Sequence, residues 1–120
     1  MAKHKKKKHY IDNKEFEETI YNYLDDPRQY EEKLIKQLDL LISSILISFK
    51  FKVDHDDAKQ DCFVLSLKVL KNFTREKGSA FNYFTTVIVN NLKLIYTKNK
   101  KYQEKIQAYR DRKIKTFLEE

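Results

Sequence analysis

Four consecutive residues, Asp54, His55, Asp56 and Asp57, bring an imidazole and three carboxylates together. Such donors can bind a divalent cation and, with further ligands, support hydrolysis. Those further ligands must come from other elements, yet the only other histidines, His4 and His9, lie in a lysine run. The alternative is a helix start, where carboxylates face the partial positive charge of unpaired N–H groups, and we read them so. Cys62 falls in an apolar stripe and reads as a small core residue, not a nucleophile. Because it is the only cysteine, an intramolecular disulfide and a multi-cysteine zinc site are excluded. No Ser, His and Asp set, phosphate-cradling glycine loop or zinc motif is present, so the expectation is a non-enzyme without cofactor or metal.

Binding chemistry is better represented. Phe81, Tyr83, Phe84, Tyr96, Tyr102 and Tyr109 are interleaved with Arg75, Lys77, Lys93, Lys98, Lys100 and Lys101. Basic side chains neutralise phosphates and exposed rings stack on unpaired bases, a combination that favours single-stranded or opened DNA over intact duplex. The other reading is that Phe81, Phe84 and Ile88 are core residues at helical spacing. Phe81 is taken that way, whereas Tyr83 and one neighbour are expected to be partly exposed. Charge is polarised along the chain: the net +7 divides into +5 over Met1–His9, −3 over Tyr10–Leu92, +7 over Lys93–Lys115 and −2 at the end. Two basic ends flanking a mildly acidic body suit a polyanion partner and a separate, uncharged or basic partner surface. Lys5–Lys8 alone fit equally a solvated tail, and residues 1–9 are expected to be flexible.

The elements that must position these groups are helices. A chain of 120 residues with one Gly and one Pro, rich in Lys, Glu, Leu and Ile, predicts one compact all-α bundle of about four helices. The expected organisation is a basic tail at 1–9, a helical domain at 10–102, and a basic C-terminal helix at 103–120. Asp12 or Asn13 caps a first helix with Phe16, Ile20, Tyr23 and Leu24 on one face, ended by Asp25, Asp26 and Pro27. A second runs from about Arg28 to Ile47; Tyr30, Leu34, Leu38 and Leu41 line one side, and Leu40–Ile47 is apolar enough to be buried on several sides. It is too short an apolar run to span a membrane. Phe49–Val53 reads as an extended link. A third helix starts near Asp54–Asp57 and runs to about Phe73, with one stripe of Cys62, Leu65, Val69 and Phe73 and a second of Phe63, Leu67 and Leu70. Thr74–Ser79 is a turn holding the only glycine, Gly78. The fourth helix starts near Ala80, carries Phe81, Phe84, Ile88, Leu92 and Ile95 on one side, and continues into the basic segment with a break expected near Asn99. Nothing resembles a secretory signal peptide, so a cytoplasmic location is expected.

From Asp57 to Leu94 the chain resembles, without a gap, the second region of the sigma-70 family, the helical part that binds core RNA polymerase and recognises the −10 promoter element. The family's Asp, Gln and acidic residue on the first helix fall on Asp57, Gln60 and Asp61. The resemblance implies that they engage the clamp helices of the largest polymerase subunit, with Phe63 and Leu67 adding apolar contacts. The family's aromatic, basic, glycine and aromatic turn falls on Phe73–Phe81 and its melting helix on FNYFTTVIVNN. Phe84 takes the place of the tyrosine that stacks on a flipped adenine. Arg75, Lys77, Tyr83, Val87 and Asn91 fall near promoter DNA, and Lys93, Lys98, Lys100 and Lys101 are expected on its backbone. Val87 and Ile88 replace the usual tryptophan pair, and Val89 with Asn90 replaces an apolar and basic pair, so the base pocket differs.

No second helix-turn-helix domain is present to read a −35 element, which points to the late-transcription sigma factors of T-even-like bacteriophages and their cyanophage relatives. The opening HYIDNKEF, His9–Phe16, is similar to the start of those proteins. The resemblance implies a factor that works in an infected bacterial host, recognises and melts a TATA-like promoter, and is coupled to the phage sliding clamp and a late coactivator. Ile114, Phe117 and Leu118, followed by Glu119 and Glu120, are the segment that would reach the clamp. Two other readings use the same residues: a polymerase-binding inhibitor or anti-sigma-like regulator, and a general nucleic-acid binder.

Overall fold

The computed structural model describes residues 11–119; the lysine tail at 1–9, the first two residues of HYIDNKEF and Glu120 lie outside them. Four helices, with no strand among the described residues, make an all-α bundle: α1 (Asn13–Asp25), α2 (Pro27–Ser48), α3 (His55–Val69) and α4 (Ala80–Glu119). Asp12 begins α1 by accepting the Lys14 N–H at 3.0 Å. A single non-helical residue, Asp26, separates α1 from α2, and Pro27 opens α2 at a position where its missing N–H leaves no bond unmade. Phe49–Asp54 is the extended link. Asp54 then starts α3, accepting the Asp57 N–H at 3.1 Å, so one carboxylate of the acid cluster is used as a cap. The end of α3 tightens into a 3-10 turn, Leu70–Asn72; a second, Arg75–Lys77, leads to Gly78 at φ 100, a conformation that suits glycine.

Helical periodicity decides the core. Phe16 and Ile20 of α1, Leu34, Leu38, Leu41 and Ile42 of α2, and Phe84, Ile88 and Leu92 of α4 are almost or completely buried. Rings accumulate where α1, the turn and α4 meet. Phe73 lies 5.3 Å from Tyr83, 6.0 Å from Tyr21 and 6.1 Å from Phe84 between centroids, and Phe84 is 5.6 Å from Phe16. Tilted pairs at these separations add favourable quadrupole contacts to the area that they bury.

Several expectations are corrected. Phe84 is not a surface ring awaiting a base: it is 0% exposed, enclosed by Phe16, Phe73 and Tyr83, because positions 84, 88 and 92 form the inward stripe of α4. There is no break near Asn99. Asparagine costs a helix only a few tenths of a kcal/mol, and α4 runs unbroken for 40 residues. At 1.5 Å per residue that is about 60 Å, close to the longest dimension of the molecule, 67 Å. The inward stripe of α3 is Ala58, Cys62 and Ser66, not Cys62 with Leu65; Leu65 is half-buried and Leu67 is 38% exposed. Leu24 and Ile47, near the ends of α1 and α2, are also exposed.

Beyond Tyr96, α4 leaves the bundle, and every residue from 97 to 119 is exposed except the half-buried Ile106. Local contacts remain, including the Gln107 amide donating to Asp111 at 2.9 Å and Arg112 and Lys113 over the Tyr109 ring. Removing the Phe84 ring should leave a cavity between α1 and α4: Phe84→Ala is expected to lower unfolding stability by about 3–5 kcal/mol. Urea denaturation measures this, and a loss under about 1 kcal/mol would contradict the enclosed position.

Candidate nucleic-acid interface

The turn and α4 are held to the body by α1. The first N–H groups of a helix have no partner within it, and here three of them are met by side chains. Glu17 Oε2 accepts the Ala80 N–H at 2.9 Å, Asn13 Oδ1 accepts the Phe81 N–H at 2.8 Å, and Ser79 Oγ accepts the Asn82 N–H at 3.1 Å. Asn13 and Glu17 stand one turn apart on α1 and are themselves joined, Asn13 Nδ2 donating to Glu17 Oε2 at 3.1 Å. Arg75 Nε donates to the other Glu17 oxygen at 3.3 Å, and its guanidinium lies 5.2 Å from the centroid of the Tyr21 ring. The Ala80 N–H, then the Asn13 amide and Arg75, hold the Glu17 carboxyl below its ordinary 4.5 against the opposing effect of burial. Sequence patterning read Asn13 only as a helix start and did not single out Glu17; their i, i+4 spacing was the available signal.

On α3, Asp57, Gln60, Asp61 and Leu67 are exposed and Phe63 is half-buried, so the expected polymerase-facing residues share one accessible surface. Val64, 52% exposed, belongs to it as well, one turn from Gln60 and Leu67, and fell in neither apolar stripe read from the sequence. Gln60, Phe63 and Val64 border a depression against Ile35, Lys36 and Asp39 of α2. Lys59 bridges to Asp39 at 2.9 Å beside it, an exposed pair of small energetic weight.

The α4 residues are divided between faces. Tyr83, Val87, Asn91, Leu94, Lys98 and Lys101 recur at steps of three and four and so follow one side of the helix. Along it, Leu94 is exposed beyond the half-buried Tyr83, Val87 and Asn91. Lys77 Nζ sits 5.8 Å from the centroid of the Tyr83 ring, placing a cation at the start of this strip. Asn91 ties the strip to α3: its amide donates to Asp61 Oδ2 at 2.7 Å and meets Cys62 Sγ at 3.6 Å. A residue expected at DNA therefore holds one expected at the polymerase. Burial pushes the Cys62 thiol up, keeping it in the poorly nucleophilic protonated form at neutral pH.

Lys93 falls elsewhere. It lines an apolar groove of about 610 Å³ between the end of α2, the link and α4, and Lys100 follows on that side by spacing. Tyr96 is also engaged there, its ring 4.7 Å from Phe51 of the link. Tyr102, Tyr109, Ile114, Phe117 and Leu118 are exposed along the projecting part of α4. Among the described residues no three His, Cys, Asp or Glu side chains converge as ligands, and no helix is long and apolar enough to cross a membrane.

The Glu17 clamp has a pH signature. A carboxyl whose folded pKa is lowered contributes stability that is present above its unfolded value, about 4.5, and lost as pH falls through the lower folded value. Glu17→Ala should cost about 1–2 kcal/mol near neutral pH. Glu17→Gln, which keeps an acceptor but no charge, should differ from wild type near neutral pH and converge with it on acidification. Urea unfolding across pH tests this; a gap that does not change with pH would refute the charged clamp.

No family model, curated protein or solved structure matches this chain.

Proposed function

We propose that this chain is a phage-type sigma factor for late transcription, docking on host core RNA polymerase through α3 and holding an opened −10 element against the turn and α4. The observation that supports this reading best is the continuity of two differently built surfaces. An acidic and apolar strip on α3 (Asp57, Gln60, Asp61, Phe63, Val64, Leu67) adjoins an aromatic-to-basic strip on α4, with Asn91 bonded to Asp61 at their junction. The acidic and apolar surface suits a protein partner, while Arg75, Lys77, Lys98 and Lys101 suit phosphates. No bond is made or broken by the chain, and the work is done in the bacterial cytoplasm by binding alone.

The burial of Phe84 changes how bases are held. Tyr83 is the ring placed for stacking, with Lys77 beside it, and Phe84 supports it from the core at a centroid distance of 5.0 Å. Extruding a base costs a few kcal/mol and one aromatic stack returns about 1–3 kcal/mol, so a single supported ring helps to trap DNA that is already melting. The exposed Ile114, Phe117 and Leu118 remain available to a sliding clamp, with a late coactivator completing the assembly. The enclosed Phe84 also favours a second reading, a polymerase-binding inhibitor that keeps the α3 surface but does not capture bases.

Transcription from an A/T-rich late-type promoter with a preformed −10 bubble, using bacterial core polymerase, separates the readings. Correctly positioned transcripts are expected, and Asp57→Ala with Gln60→Ala should abolish them by weakening polymerase binding. Tyr83→Ala should leave that binding intact and reduce open-complex formation by about 5- to 150-fold, the equivalent of one lost stack. Polymerase binding without transcript would select the inhibitor; binding unaffected by the α3 substitutions would defeat both.

A further inference from the structure

Past Tyr96, α4 keeps a pattern that packing no longer explains. Lys98, Lys101, Lys105, Arg112 and Lys115 recur at steps of three and four, with Ala108 at the one intervening position, and so form a single ridge along the helix. All five are exposed, and among the described residues none is paired with a carboxylate. At 1.5 Å per residue the ridge is about 25 Å long. The two acids in this span, Glu104 and Asp111, stand seven residues apart on a flanking strip, where Asp111 accepts from Gln107 at 2.9 Å. Followed back towards the bundle, the ridge is collinear with Leu94, Asn91, Val87 and Tyr83, although it lies wholly beyond the stretch that resembles sigma region 2.

A line of unpaired cations with almost no apolar surface on it does not suit a protein partner, whose interface would be built round an apolar centre. Nor does it suit a lipid surface. The apolar residues beside the ridge, Tyr102, Ile106, Tyr109 and Phe117, are interrupted by Arg110, one turn from Ile106, and by Lys113, one turn from both Tyr109 and Phe117. What matches regularly spaced charge on a rigid rod is a partner whose opposite charge is equally regular and equally fixed. Double-stranded DNA carries one negative charge per about 1.7 Å of axis and stays straight over lengths far above about 25 Å. A single strand would first have to be ordered to follow the ridge, at a cost in entropy. We infer that the projecting part of α4 binds the phosphate backbone of double-stranded DNA through this ridge, irrespective of base sequence. The Tyr109 ring, its centroid 5.9 Å from the Arg112 guanidinium, steadies that side chain beside the ridge. The inference goes beyond the proposed function, since it needs neither polymerase nor an unpaired base.

Two double variants of matched composition test it in the full chain, without polymerase. Lys105→Gln with Arg112→Gln removes two ridge cations. Arg110→Gln with Lys113→Gln removes an arginine and a lysine from the same exposed segment but off the ridge, so net charge and helix propensity change equally. Fluorescence anisotropy with a duplex of about 20 base pairs, over a series of salt concentrations, reads the number of phosphates neutralised. The ridge variant should reduce the slope of log K against log[salt] by about 1.8 and weaken binding at about 0.15 M salt roughly tenfold or more. The off-ridge variant should change that slope by less than about 0.9. The loss in the ridge variant should also be larger on duplex than on a single strand of equal length or on vesicles of phosphatidylglycerol and phosphatidylcholine. No duplex binding by wild type, equal losses in the two variants, or a larger loss on the single strand or the vesicles would each overturn the proposal. Its failure is separable from that of the transcription reading, because duplex binding is measured without polymerase, whereas promoter transcripts depend on the α3 surface.

Discussion

The hold of α1 on the beginning of α4 is the constraint on which the rest of the molecule depends. Glu17 and Asn13 satisfy two backbone N–H groups that would otherwise be left at the foot of a 40-residue helix, and Glu17 also accepts from Arg75 in the preceding turn. One carboxylate thus fixes the direction in which α4 leaves the body and the conformation of the turn that leads into it. Buried amide groups without partners are costly, so this arrangement penalises alternative positions for α1 more sharply than apolar packing does. Packing tolerates small slides, whereas hydrogen bonds of 2.8–2.9 Å do not.

Around that clamp the aromatic cluster converts a turn into a platform. Phe73 joins Tyr21, Tyr83 and Phe84, so the 3-10 segment with Arg75 and Lys77 is backed by rings, although its own residues are exposed. Burial of Phe84 and partial exposure of Tyr83 follow from the same helix geometry: neighbouring residues differ by about 100° around the axis, so they cannot both face inward. Under the proposed reading, the ring offered to a base is positioned by the ring withheld from it. Such packing would pre-order a stacking residue, which binds more effectively for the motion it has already lost.

Charge and exposure then separate along α4. Its first part shares a core with three other helices; its last part has left that core and carries most of the basic excess of the described chain. The projecting segment keeps its helical form through local contacts and continuity with a buried first half, which bears the nucleation cost that makes short isolated helices marginal. Lys98 and Lys101 follow the Tyr83 side, whereas Lys93 and Lys100 follow the groove. One basic segment consequently serves two surfaces, and its lysines are not interchangeable.

Much of the architecture was legible in the residues. Periodicity at three and four located the helices and the buried stripes of α2 and α4, though not that of α3, Pro27 and Gly78 marked the breaks, and Asp12 and Asp54 announced helix starts, because these signals depend on neighbours within one or two turns. What local patterning left open was which apolar residue of a wide stripe faces inward: Phe84 could be read as core by its spacing or, by the resemblance, as the ring on a base, until Phe16 and Phe73 enclosed it. Nor did it supply the Glu17 clamp, the Asn91 and Asp61 bond or the groove, each of which joins residues 29 or more positions apart. The sequence by itself determined the helices, their polarity of charge and the candidate binding residues, since those follow from side-chain type and short-range spacing. Only the tertiary structure decided which of these residues are held, hidden or offered to a partner, because that depends on contacts between segments far apart in the chain.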